Sequence, residues 1–148
     1  MRTVLQRLKQ LFRIPACQDV NTILEAYVNS EPSNQTAVNI GYGEWWSALP
    51  EEARANAGSI PVFDDGRIHW LFKIIGGVSG MHVLELGPLE GAHSYMLEQA
   101  GAESIMSIEA NTRAYLKCLV VKELLGLSRV RYLCGDFNAF LEHDTGRY

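Results

Sequence analysis

Glu85, Glu109 and Asp136 each stand where a short apolar run gives out, and Glu85 is followed at once by Gly87-Pro88-Leu89-Glu90-Gly91. Carboxylates delivered this way to the carboxyl edge of a parallel sheet offer hydrogen-bond acceptors to a nucleotide-like ligand. Glu109 is placed to accept both hydrogen bonds of a ribose diol. Asp136 is placed to accept from an exocyclic amine such as that of adenine, with Phe137 beside it to pack on the base. Gly87 admits backbone angles closed to other residues and lets a ligand approach; Gly91 does the same where a helix begins and its first amides are unpaired. Together these roles describe an adenosine lying across three strand ends. Glu85 reads equally as a carboxylate capping nearby amides, and Asp136 as the N-cap of the next helix.

The elements that must hold these residues follow from periodicity. Apolar runs at 81–86, 104–109 and 129–134 predict strands. Between them helices are expected at 91–100 and from the N-cap Asn111 to Leu125, with Gly126 as the stop. A further helix starts at Phe137. Strands alternating with helices of this length imply a parallel sheet. Before residue 78 the pattern is helical: Val4, Leu5, Leu8, Leu11 and Phe12 at helical spacing until Pro15, a second short helix at 19–28, and a third at 67–75 ended by Gly76-Gly77. A helical turn is expected from Glu51 to Ala57, and Phe63-Asp64-Asp65-Gly66 reads as a turn or helix entry. The expected class is α/β, with residues 1–77 a helical extension and 78–148 a partial Rossmann-like sheet ordered 3-2-1.

Composition narrows the partners. The chain carries a net charge of −4, yet Arg2, Arg7, Lys9 and Arg13 give the first thirteen residues +4, so the rest carries −8. An acidic body disfavours nucleic acid as the main partner. Cys17, Cys118 and Cys134 form no close pair, and the last two sit in apolar segments and read as buried hydrophobes, which fits a cytoplasmic location. No apolar run approaches a membrane span, and Arg7, Lys9, Gln10 and Arg13 interrupt what a signal peptide would need. His69, His82, His93 and His143 lack metal-ligand spacing, so no metal is expected. His93, near the loop, reads as a catalytic or a supporting residue. Trp45, Trp46, Phe63 and Trp70 read as core or as a cover over a ligand, and Asp64 and Asp65 as solvated turn acids or as groups orienting an acceptor.

Val83-Leu84-Glu85-Leu86-Gly87-Pro88-Leu89-Glu90-Gly91 resembles the first motif of the class I S-adenosylmethionine-dependent methyltransferases. Ile108-Glu109-Ala110-Asn111 is similar to their second motif, with its ribose-binding acid, and Leu133-Cys134-Gly135-Asp136-Phe137 to their third, which recognises adenine. The resemblance covers about residues 80–142. It implies S-adenosylmethionine as cofactor, contacted by Glu85, Gly87, Pro88, Glu90, Gly91, Glu109, Ala110, Asp136 and Phe137, and methyl transfer to a small molecule or protein. Leu89 stands where the commoner loop has a second glycine. The same residue argues against a nicotinamide dinucleotide, whose fingerprint needs glycine there.

The resembling fold has a seven-stranded sheet in which strand one is central. Here strand one would be an edge, so the chain reads as an N-terminal portion of a methyltransferase, inactive alone, that self-associates through that edge or its N-terminal helices. The alternative expectation is a non-catalytic binding or interaction module derived from the fold. No catalytic residue can be named, because the region after strand four usually supplies it.

Overall fold

The three apolar runs pair as a parallel sheet in the order β1-β2-β3, with β1 at His82–Leu86, β2 at Ser104–Glu109 and β3 at Val130–Cys134. A computed structural model describes residues 27–148, of which Pro32–Tyr148 form a single compact unit. Among the described residues five α-helices accompany the sheet in chain order: α1 (Asn34–Asn39), α2 (Gly66–Ile75), α3 (Ala92–Gln99), α4 (Thr112–Leu124) and α5 (Phe137–His143). Short 3-10 turns at Glu51–Ala53 and Val62–Asp64 precede α2. The architecture is therefore mixed α/β with a partial Rossmann-like sheet, as its strand–helix alternation predicts.

Register decides which side chains meet. Glu85 is the partner of Ser107, and Ser107 of Tyr132, so these three stand in one row across the sheet. Successive strand residues face opposite sides, and Ile105, Ser107 and Glu109 share the buried face of β2. α4 buries Ala114, Cys118 and Val121 at helical spacing against β2 and β3. α3 packs on β2 and on the turn carrying Phe63. Phe63, Ala92, Leu97, Ile105, Cys118, Val121, Val130 and Tyr132 belong to one core.

Local capping explains the helix starts. The Asn111 side chain accepts from Arg113 N and Ala114 N, and Asp65 and Asp136 accept from Arg67 N and Asn138 N. Gly76, at φ +79, ends α2 as expected. The helical turn expected over Glu51–Ala57 stops at Ala53, because Arg54 turns into the left-handed region at φ 49. Ser33 is the N-cap of α1, its hydroxyl accepting from Thr36 N. Cys118 is buried, but Cys134, at the carboxyl end of the outer strand β3, is exposed. The helix expected at 4–15 lies outside the described residues. So does most of that at 19–28, and its last two residues, Tyr27 and Val28, are not helical. Among the described residues no helix is long and apolar enough to cross a membrane.

Candidate functional site

Between β1 and α3 the chain makes a five-residue loop with alternating left-handed positions: Gly87 at φ +72, Leu89 at φ +56 and Gly91 at φ +76. Two of these are glycines, which adopt such angles freely; Leu89 does so at a cost of about 1–2 kcal/mol. The loop is pinned from outside. Gly87 N donates to Ile108 O at 2.9 Å, and Leu89 N donates to Glu109 Oε2 at 2.9 Å. Glu109 Oε1 accepts from Asn111 N at 2.8 Å, so one buried carboxylate ties the loop to the start of α4. The outer face of Gly87 is open: an added Cβ would meet nothing within 4 Å.

Beneath the loop lies a buried polar cluster. Glu85 Oε2 accepts from both Ser94 Oγ and Ser107 Oγ, the latter at 2.6 Å, while Oε1 is buried without a partner among the described residues. Burial drives the Glu85 carboxyl above its ordinary value, more than the two serine hydroxyls lower it. Tyr132 is buried beside this row, and its phenol is likewise raised by burial. An added Cβ at Gly91 would stand 2.6 Å from Tyr132 Oη.

Glu90 turns away from the loop. Its carboxylate, 1% exposed, accepts from Ser47 N at 2.8 Å, from Trp46 N at 3.1 Å and from Lys117 Nζ at 2.5 Å. Burial raises its pKa, but the ammonium and the two amides outweigh that and hold the carboxyl below its ordinary value. Lys117 also donates to Glu44 O, and its ammonium stands 5.6 Å from the Trp45 ring centroid. Arg113 pairs with Glu44 on the surface. Glu44–Ser47 is thus a strap fastened to the loop and to α4.

Strap and loop enclose a cavity of about 150 Å³ lined by Ser47, Arg67, Gly87, Pro88, Ala92 and His93, with Trp46, Val62, Leu89 and Glu90. A second cavity of about 300 Å³ shares Trp46, Val62 and Arg67 and runs along Ile60–Arg67. His93 Nε2 lies 2.9 Å from Asp65 Oδ2, and Asp65 also holds Arg67 Nε and Nη2. The guanidinium, above all, keeps the Asp65 carboxyl far below its ordinary range.

Of the residues singled out by sequence, Gly87, Pro88 and Glu90 line the first cavity, Gly91 closes the loop against Tyr132, and Glu85 bonds to Ser94 and Ser107. Glu109 is tied to the loop amide itself. Ala110 and Asp136 are exposed and Phe137 is partly buried, none of them lining either cavity. Asp136 caps α5 through Asn138 N at 2.8 Å. Phe63 is core, Trp45 packs against the core, and Trp46 and Trp70 are exposed. Ser47, Ser94, Ser107, Tyr132 and Lys117 escaped sequence reasoning. No group of three potential metal ligands occurs among the described residues.

No family model matches the sequence, and no curated protein matches it. Solved structures do. The N-terminal domain of EvdMO1, determined in the presence of SAH and D-fucose, aligns with 82% of this chain and 46% of its own at 21% identity and a TM-score of 0.54. A structure of EvdMO1 aligns with 69% of this chain and 23% of its own at 22% identity, again with a TM-score of 0.54. A proposed O-methyltransferase from Klebsiella pneumoniae aligns with 86% of this chain and 54% of its own at 15% identity and a TM-score of 0.50. These likenesses show the fold alone, the Rossmann-like α/β arrangement this chain shares with EvdMO1 and with that proposed O-methyltransferase. The chain spans between about a quarter and about half of the chains it matches.

Proposed function

We propose that the strand ends and the Gly87–Gly91 loop form the S-adenosylmethionine-binding half of a methyltransferase whose acceptor is a small molecule or a protein. One observation carries the reading. The loop follows β1 with three left-handed residues, leaves the Gly87 face open, and is held by an acid at the end of the neighbouring strand. That arrangement suits an adenosine ligand better than a plain scaffold needs. Two buried polar atoms near the loop, Glu85 Oε1 and Ser47 Oγ, lack partners among the described residues and so favour a polar ligand.

In this reading Glu109 offers its remaining lone pairs to the ribose hydroxyls, and Asp136 and Phe137 receive the base. A bound sulfonium supplies an activated methyl and a neutral leaving group, so positioning provides most of the acceleration. What the chain's residues do is orient: Glu109 fixes the loop through Leu89 N, and Glu90 fixes the strap through Ser47 N. Residues 78–148 would be the cofactor-binding half, with the strap Glu44–Ser47 part of its cover. β1 pairs only with β2 among the described residues, so its free edge would receive a further strand or a second copy of the chain.

Calorimetric titration with S-adenosylhomocysteine tests the reading. Saturable binding by the wild-type chain, lost in a folded Glu109→Ala variant, supports it. A folded wild-type chain that binds no nucleoside would turn the interpretation toward a non-catalytic interaction module.

A further inference from the structure

Gly41-Tyr42-Gly43-Glu44-Trp45-Trp46 sets aromatic residues among glycines just after α1. Tyr42 and Trp45 line a cavity of about 610 Å³, together with Gln35, Val38 and Asn39 of α1 and with Asn56. It shares no lining residue with the two cavities beside the Gly87–Gly91 loop. Its volume is that of a small-molecule site, and its mixture of aromatic rings with a few polar groups is what such sites use to hold and orient a ligand.

The walls are fixed in advance. Gln35 Oε1 accepts from Asn56 N at 2.7 Å, while its Nε2 donates to Asn56 O and to Asn39 Oδ1, both at 2.9 Å. One carboxamide thus pairs both backbone groups of Asn56 and holds Asn39 as well. Asn34 Nδ2 donates to Ala53 O at 2.9 Å, a second tie between α1 and that segment. Trp45 Nε1 donates to Val38 O at 2.9 Å, and an added Cβ at Gly41 would stand 3.0 Å from the same nitrogen, so the glycine makes room for the indole. Walls already ordered lose little freedom when a ligand arrives. These bonds leave Asn39 Nδ2, the Asn56 side chain and the Tyr42 hydroxyl without partners among the described residues, and Tyr42 is 87% exposed.

The chemistry of the lining selects the ligand. It holds no Asp, Glu, Lys, Arg or His, so a charged ligand would find no counterion there. The charges on the strap and α4 are paired elsewhere, Glu44 with Arg113 and Lys117 with Glu90. A wholly apolar ligand would leave the free carboxamides unmatched. Carboxamides both donate and accept, as a hydroxyl does, and aromatic rings offer an electron-rich face to C–H groups. An uncharged ring with hydroxyls around its edge and C–H groups on its face meets both demands. We propose that this cavity binds a pyranose sugar, with Tyr42 and Trp45 against its C–H face and Asn39 and Asn56 bonded to its hydroxyls. Gln35 is the positioning residue that holds both asparagines. The site stands independently of the adenosine reading.

Ligand-observed saturation-transfer NMR tests it on the full chain with methyl β-D-glucopyranoside, methyl β-D-galactopyranoside and methyl α-D-mannopyranoside, beside uridine and glucose 6-phosphate. At least one of the three neutral sugars should bind saturably. Tyr42→Ala and Asn56→Ala should each weaken that sugar by about fivefold or more. Both side chains are exposed and make no bond within the described residues, so thermal unfolding of either variant should match wild type. Glucose 6-phosphate should bind no more tightly than the neutral sugars, because no cation lines the cavity. Absence of binding by all three sugars to the folded chain overturns the inference. So does sugar binding that both variants leave unchanged, which would put the sugar elsewhere. Uridine binding that exceeds the sugars and falls in the same variants would make the cavity a site for a planar heterocycle instead.

Discussion

Lys117 donates to Glu90 at 2.5 Å from a position where its own side chain is only 12% exposed, and the carboxylate it meets is 1% exposed. The pair is completed by the Ser47 and Trp46 amides, so the acid has partners on both sides. Removing one member of such a buried pair leaves the other charged and uncompensated. Glu90→Ala should therefore cost about 3 kcal/mol or more in urea unfolding at neutral pH. The sign with pH follows from the lowered carboxyl. Its stabilisation is present above the ordinary value of 4.5 and fades as pH falls through the folded value. Glu90→Gln should accordingly be less stable than wild type at neutral pH, with the gap narrowing as the solution is acidified.

Glu85 should behave in the opposite sense. Its carboxyl is raised by burial, so its protonated form is the one favoured by folding. The contribution is present below the ordinary value of 4.5 and is lost as pH rises through the folded value. Glu85→Gln, which removes the titration and keeps an oxygen for Ser94 and Ser107, should gain on wild type as pH is raised from acid to neutral. Unfolding curves of both variants across that range check the pair of signs. Parallel trends for Glu85→Gln and Glu90→Gln would contradict this assignment.

The difference between these two acids shows what sequence alone reveals here. The strands, the Asn111 and Asp136 caps and the glycine stops are set by neighbours within a few residues, and each was legible. Glu85 was expected either at the ligand or capping amides; it accepts hydroxyls from Ser94 and Ser107, which sequence did not suggest. Glu90 meets Ser47 across 43 residues of chain, and no local pattern encodes that contact. The same holds for Tyr132 beneath Gly91, which depends on strand register and the loop's path together. Arg54 ended an expected helical turn by entering the left-handed region, a choice its sequence does not announce.

Gly91 has two reasons to be glycine. Its φ is +76, and a Cβ would lie 2.6 Å from Tyr132 Oη. Gly91→Ala should cost about 2–3 kcal/mol, from backbone strain with the contact added to it. Tyr132 Oη is buried without a partner among the described residues, so Tyr132→Phe alone should change stability by less than about 0.5 kcal/mol or raise it. In the double variant the hydroxyl is gone while the strain remains. Its stability should exceed that of Gly91→Ala but stay below wild type. Strict additivity in this cycle would show that the two residues do not meet.

Leu89 holds the left-handed conformation, at φ +56, without being glycine. Its amide is fixed by Glu109 Oε2 at 2.9 Å, and its carbonyl accepts weakly from Cys118 Sγ at 3.6 Å. The loop thus keeps the backbone path that a second glycine would allow, and the surrounding bonds offset the strain. Leu89→Gly removes about 1–2 kcal/mol of strain but adds about 0.5–1 kcal/mol of chain entropy, so stability should stay within about 1 kcal/mol of wild type. Leu89→Val places a β-branched residue where φ is positive and should cost about 2 kcal/mol more than Leu89→Gly. Glu109→Ala frees the Leu89 amide, so the penalty of Leu89→Val should shrink in that background as the loop relaxes. Chemical denaturation of the single and double variants measures all three. An unchanged valine penalty would mean that Glu109 does not enforce the loop's conformation.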